Sequence, residues 1–107
     1  YYNPPIFCIA DDPNNSWGYA ASWGTEEEKQ QVKTDLELMK KTFMDKGYGV
    51  IIGEYGCPDK KEDKYTHLYL TTVAKTAYDM GICAMLWDAG GWFNRRTESF
   101  PSELEAF

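Results

Sequence analysis

Two short apolar runs constrain the fold of this chain more than any other feature. The first covers residues 50–52 and follows a helical pattern that begins at Thr25; the second covers residues 82–86 and follows another helical pattern. Neither run alternates apolar with polar residues, which is typical of strands buried on both faces. Helices that alternate with buried strands indicate parallel α/β units. We therefore predict an α/β fold with a parallel sheet.

The first helical pattern has clear boundaries. Thr25 and Glu28 have the spacing of a capping box, in which each residue satisfies a backbone N–H of the other. Gly47 is predicted to end the helix in a left-handed conformation. One apolar stripe runs between them, formed by Val32, Leu36, Met39 and Phe43.

The second helix is predicted over roughly residues 62–80, with Gly81 as its stop signal. Its apolar stripe is formed by Tyr69, Val73, Ala77 and Met80. Residues 3–24 are predicted to form a long loop, and Pro101 is predicted to open a third helix. Two or three strands cannot cover both faces of a parallel sheet. We therefore expect more sheet than these 107 residues contain.

Composition and charge exclude several classes of function. The net charge is −6 and basic residues do not cluster, which argues against a nucleic-acid partner. No apolar run approaches the roughly 18–20 residues of a membrane helix, and no membrane association is expected. Three cysteines, Cys8, Cys57 and Cys83, match no zinc-binding spacing and allow at most one disulfide. We predict no metal and no cofactor.

Candidate functional residues lie where the predicted strands end, because the carboxyl ends of parallel strands carry the functional groups in α/β folds. Glu54 follows the first apolar run, and its carboxylate is costly to bury unless it is hydrogen-bonded or used. Tyr2 and Trp87 occupy similar positions, although either could be a packing residue and Glu54 could be ion-paired. Trp17 and Trp23 lie in the predicted loop, where indoles often line a ligand site.

Four motifs in chain order resemble those of glycoside hydrolase family 5, particularly its endo-β-1,4-glucanases. Together they span almost the whole chain. They are Tyr1-Tyr2-Asn3-Pro4-Pro5-Ile6-Phe7, Ser22-Trp23-Gly24-Thr25, Val50-Ile51-Ile52-Gly53-Glu54-Tyr55-Gly56 and Trp87-Asp88-Ala89-Gly90. The family usually has asparagine where this chain has Ala89.

The resemblance implies a (β/α)8 TIM barrel, of which residues 1–107 would be the C-terminal part, about strands 6 to 8, of the catalytic domain. It implies that Glu54 is the catalytic nucleophile and Tyr2 its hydrogen-bond partner. Trp87 would bind the sugar, and Trp23 and Trp17 would line the cleft. The acid/base glutamate would lie outside this chain, so the isolated chain is expected to be inactive.

The implied substrate is a polysaccharide, β-1,4-glucan as in cellulose, and the implied protein partner is the remainder of the barrel. A polymeric substrate also implies secretion. Two alternatives stay open: a non-catalytic carbohydrate-binding or interaction module, and a small independent α/β domain in which Glu54 is structural. Within the family, a xyloglucanase or mannanase specificity is equally compatible with these residues.

Overall fold

The computed structural model describes residues 1–88 and 91–100. Its elements are α1 (Pro5–Cys8), α2 (Glu26–Thr42), a 3-10 turn (Met44–Lys46), β1 (Ile51–Tyr55), α3 (Asp63–Asp79) and β2 (Cys83–Leu86). The predicted third helix at Pro101 and the substitution at Ala89 lie outside the described residues. Within the described part, no helix is long and apolar enough to cross a membrane.

Helix α2 begins as predicted. The Glu28 backbone N–H donates to the Thr25 hydroxyl oxygen at 3.2 Å, and the Thr25 backbone N–H donates to the Glu28 carboxylate at 3.0 Å. The C-terminal end of α2 differs from the prediction. The helix ends at Thr42, and Phe43, the last residue of the predicted apolar stripe, is 45% exposed. Gly47 is left-handed, with φ of 91°, but it ends the 3-10 turn rather than α2.

Helix α3 supplies the centre of the hydrophobic core. Tyr69, Val73 and Ala77 are fully buried, as the predicted stripe requires, and Gly81 is left-handed with φ of 79°. The core lies between the two long helices and one face of the sheet. Its other buried members are Phe7, Cys8, Trp23, Val32, Leu36, Tyr55, Leu70, Ile82 and Trp92.

The two strands pair in parallel, as predicted, with Ile51 opposite Cys83 and Ile52 opposite Ala84. The two faces of the strands differ in burial. Ile52 and Ala84 pack against the core, whereas Ile51 is 64% exposed. Within the described residues, α2 and α3 cover one face of the sheet and no other described element covers the second, in line with the expectation that this chain contains too little sheet to bury both faces. We call the uncovered side the open face of the sheet.

The segment 3–24 is not a continuous loop, because the short helix α1 (Pro5–Cys8) lies within it. Phe7 and Cys8 on this helix are buried in the core. The segment is fastened by Lys61, whose ammonium group donates to the carbonyl oxygens of Ile6 at 3.2 Å and Ala20 at 2.7 Å. This contact holds one wall of the cleft described below against the loop that precedes α3.

Candidate active site

A β-bulge places Glu54 on the accessible side of strand β1. Ile52 pairs with Ala84 and Tyr55 pairs with Leu86, so three steps along β1 match two steps along β2. Regular alternation would put Glu54 on the same face as Ile52, against the helices. The extra residue of the bulge lets Gly53 and Glu54 both lie exposed, while Tyr55 returns to the core.

Glu54 borders a cleft of about 640 Å³ at the carboxyl ends of the two strands. Tyr2 and Trp87 line the same cleft, so the structure brings together all three residues predicted at strand ends. Trp87 is held there because its backbone N–H donates to the Tyr55 carbonyl at 2.8 Å, one step beyond β2. The other lining residues are Cys8, Ile9, Gly56, Cys57, Pro58, Asp59, Gly91 and Trp92.

The Tyr2 phenol and the Glu54 carboxylate line the same cleft and lie close enough to interact. Burial raises the pKa of the Tyr2 phenol, and the nearby Glu54 carboxylate raises it further, so the phenol keeps its proton and can act as a hydrogen-bond donor. The cleft therefore holds a protonated phenol and a carboxylate side by side at the end of β1.

Neither loop tryptophan is among the residues that line this cleft. Trp23 is only 2% exposed and packs edge-on against Tyr69, with ring centroids 5.1 Å apart. Its indole is therefore part of the core under α3, and this placement corrects the expectation that it contacts a sugar. Trp17 is 53% exposed but is not among the residues that line this cleft, so its role there stays a prediction.

The sequence reasoning missed two polar or aromatic residues of the cleft, Asp59 and Trp92. Trp92 is 8% exposed, and its backbone N–H donates to the Asp88 carboxylate at 3.1 Å, which ties Trp92 to the residue that follows Trp87. Both residues lie within a few positions of a predicted strand end. Polar and aromatic side chains in the loops that follow the predicted strands were the sequence signal for Asp59 and Trp92.

The cleft thiols are unsuited to nucleophilic chemistry at neutral pH. Burial raises the pKa of the Cys8 thiol to about 11 and that of the Cys57 thiol to about 12, so both stay protonated. All three cysteines of the chain are free. Among the described residues, no group of three or more His, Cys, Asp or Glu side chains could hold a metal ion. The carboxylates of Glu54 and Asp59 remain as the acidic side chains of the cleft, and Glu54 is the one at the end of β1.

Known proteins resemble this chain over nearly all of its length. Endoglucanase B of Clostridium cellulovorans is 28% identical over 118 residues, which cover 99% of this chain and 26% of the relative. The cellulase/esterase CelE of Acetivibrio thermocellus is 29% identical over 106 residues, which cover 99% of this chain and 11% of the relative. The chain thus spans about a quarter or less of the length of these two relatives.

Solved structures also resemble this chain over nearly all of its length. A broad-specificity endoglucanase from an uncultured bovine rumen ciliate superimposes with a TM-score of 0.85 at 29% identity, covering 96% of this chain and 35% of that one. The structure of ZgEngAGH5_4 in complex with a cellotriose superimposes with a TM-score of 0.80 at 26% identity, covering 96% of this chain and 31% of that one. The sequence model of the family described as cellulase, glycosyl hydrolase family 5, matches residues 14–91. Since this match covers more than half of the chain, the protein belongs to glycosyl hydrolase family 5.

Proposed function

We propose that this chain supplies the nucleophile side of a retaining endo-β-1,4-glucanase. The observation that carries the proposal is the meeting of the Tyr2 hydroxyl, the Glu54 carboxylate and the Trp87 indole in one cleft, where the two parallel strands end. Glu54 would be the nucleophile, Tyr2 its hydrogen-bond donor and Trp87 the surface on which a pyranose ring stacks. An indole offers a broad, rigid and largely apolar face for that contact.

The reaction needs a second carboxyl group. In the first step, the Glu54 carboxylate attacks the anomeric carbon, the glycosidic C–O bond breaks, and an acid donates its proton to the leaving oxygen. In the second step, water attacks the same carbon, the bond to Glu54 breaks, and the former acid takes the proton from the water. The two carboxyl groups of retaining enzymes lie about 5–5.5 Å apart. We assign the acid/base role to a glutamate outside these 107 residues.

We further propose that the chain forms about strands 6 to 8 of a (β/α)8 barrel. The protein that contains all eight strands of this barrel is called the complete barrel below. The open face of the sheet supports this, since Ile51 and Met85 on it are 64% and 49% exposed. These side chains neighbour one another on the same face of paired strands, and a contiguous exposed apolar patch of this kind usually marks a surface that further structure covers. The solved relatives, about three times as long as this chain, have room for the missing strands.

The proposed substrate is a β-1,4-glucan. Support comes from the cellotriose bound to ZgEngAGH5_4 and from the match of its fold to 96% of this chain. Trp87 is 53% exposed, so its indole is accessible to a sugar from the cleft side. A polymer of this kind is met outside the cell, and we therefore propose that the complete barrel is secreted.

The decisive substitution is Glu54→Gln in the complete barrel, assayed on soluble carboxymethyl cellulose. The amide keeps the shape of the side chain but cannot form the glycosyl ester, so kcat should fall by about a thousandfold or more. Glu27→Gln, an exposed glutamate in the first turn of α2, is the matched control and should keep full activity. The isolated 107-residue chain should show no turnover.

Substrate binding distinguishes this proposal from its rivals. If Glu54→Gln abolishes cleavage while cello-oligosaccharide binding persists, Glu54 acts in the chemistry. Cleavage that survives the substitution would contradict the nucleophile assignment. A complete barrel that binds glucan but never cleaves it would favour a non-catalytic carbohydrate module.

A further inference from the structure

One carboxylate on helix α2 holds both neighbours of Tyr2. The Tyr1 hydroxyl donates to Oδ2 of Asp35 at 2.7 Å, and the Asn3 side-chain amide donates to the same oxygen at 2.9 Å. Gln31, one turn earlier on α2, donates to the other oxygen of Asp35 at 2.7 Å. Asp35 therefore links α2 to the two residues that flank Tyr2 in the chain.

The side chain of Tyr2 points away from this carboxylate. In an extended segment, successive side chains project to opposite sides, and here Tyr1 and Asn3 reach α2 while Tyr2 reaches the cleft. The backbone nitrogen of Tyr1 lies 2.5 Å from the Glu54 carbonyl oxygen. The segment is thus tied to β1 through its backbone and to α2 through its side chains, with Tyr2 between the two attachments.

Asp35 itself is firmly placed. Its neighbours on α2, Val32 and Leu36, are buried in the core, so the helix cannot shift without disturbing the packing. Burial of the Asp35 carboxyl opposes its ionisation, but the hydrogen bonds from Tyr1, Asn3 and Gln31 outweigh this effect and lower its pKa. The carboxylate stays charged at neutral pH and can accept on both oxygens, which a neutral amide cannot do.

We propose that Asp35 is a positioning residue for the Tyr2–Glu54 pair, acting from helix α2 through Tyr1 and Asn3. The inference rests on the proposed function, because it concerns the residue that orients the nucleophile. Asp35 lines a depression between α2 and β1 that Tyr1 and Glu54 also border, but it is not among the residues that line the cleft with Tyr2 and Trp87. It is therefore placed to act through its neighbours rather than by touching a sugar at Trp87.

The test is a double-mutant cycle on kcat in the complete barrel, using Asp35→Asn, Tyr2→Phe and the pair. We expect Asp35→Asn to lower kcat about tenfold, since small displacements of a catalytic constellation cost one to two orders of magnitude, and to leave KM within about twofold. In the Tyr2→Phe background the same substitution should lower kcat by less than about twofold, because the hydroxyl that Asp35 positions is gone. A merely structural role would give the same factor in both backgrounds.

Glu37→Gln makes the same carboxylate-to-amide change two residues along α2 and should leave kcat unaltered. Should Asp35→Asn fail to fold in a thermal melt, Tyr1→Phe replaces it in the cycle, because it removes only one donor to Asp35 and keeps the ring. An unchanged kcat, or an equal loss with and without the Tyr2 hydroxyl, overturns the inference. Measuring Glu54→Gln in the same experiment distinguishes a failure of this inference from a failure of the proposed function. If Glu54→Gln is active, both the proposed function and the role of Asp35 are contradicted. If Glu54→Gln is inactive, the proposed function is retained even when the role of Asp35 is contradicted.

Discussion

Lys61 is only 5% exposed although it carries a charged group. Its ammonium satisfies two backbone carbonyls and lies 4.7 Å from the ring centroid of Phe7 and 4.3 Å from that of Tyr19. Burial lowers the pKa of Lys61, while nearby thiols and Asp11 oppose that shift. At the scale of single residues, a buried lysine therefore fixes the segment that carries Tyr2, Cys8 and Ile9 along the cleft.

We expect Lys61→Met to destabilise the complete barrel by about 1–3 kcal/mol, because the carbonyls of Ile6 and Ala20 lose their donor. Methionine has an apolar side chain of similar length, so the decrease in the free energy of unfolding measures the contribution of the ammonium group. Lys60→Met is the matched control: Lys60 forms a solvent-exposed ion pair with Asp11 at 3.2 Å, and such pairs contribute about 0–1 kcal/mol. Urea unfolding of both variants measures the difference, and equal losses would contradict the assigned role of Lys61.

At the scale of helices and strands, the features that could be predicted were those that depend on residues close together in the sequence. The capping box at Thr25, the stripe of α3 and the left-handed Gly81 depend on nearby residues, so the sequence is sufficient to predict them. The bulge at Gly53 and Glu54 depends on how two distant strands pair, and no local pattern encodes that register. Glu54 was predicted at the strand end, but its turn toward the cleft required the structure.

Aromatic residues show where sequence reasoning ends. Trp87 and Trp23 both belong to motifs that carry the family resemblance, yet one borders the cleft and the other lies in the core. An indole can bury its area against protein or against a sugar, and both uses produce the same residue in the sequence. Only the position of Tyr69, which packs against Trp23, decides between them.

The capping box allows a direct test of an element. Thr25→Ala should destabilise the complete barrel by about 1 kcal/mol, because the N–H of Glu28 loses its acceptor at the start of α2. Thr34→Ala, at an exposed position inside the same helix, should be neutral or slightly stabilising, since alanine is the better helix former. Thermal unfolding of the two variants measures the contrast. Similar losses would show that the cap does not contribute to stability.

At the scale of the whole molecule, the open face of the sheet is the feature that most needs an explanation. Ile51 and Met85 contribute apolar surface that the described helices leave uncovered, and Cys83 on the same face is also exposed. Closure of a barrel would turn this face inward and cover it. The accessibility of Cys83 therefore reports on whether the barrel is closed.

In the native complete barrel at pH 8 we expect none of the three thiols to react quickly with Ellman's reagent. Cys8 and Cys57 are protected because burial raises their pKa values to about 11 and about 12, which leaves only about one thiolate in a thousand or fewer. Cys83 should be protected by the covered face alone. Reaction of all three after unfolding in guanidinium is the control. Rapid labelling of native Cys83, absent from a Cys83→Ser variant, would contradict the barrel.

The four tryptophans occupy two kinds of surroundings, since Trp23 and Trp92 are nearly enclosed whereas Trp17 and Trp87 are each 53% exposed. The buried and the exposed indoles should consequently emit at different wavelengths, so their contributions to the fluorescence of the protein can be distinguished. Emission from Trp23 follows the packing beneath α3, while emission from Trp87 would shift as a glucose ring displaces water from its face. Within these 107 residues, replacing Trp17 with phenylalanine would leave Trp87 as the main water-facing indole, so that its part of the emission could be assigned without attaching a dye.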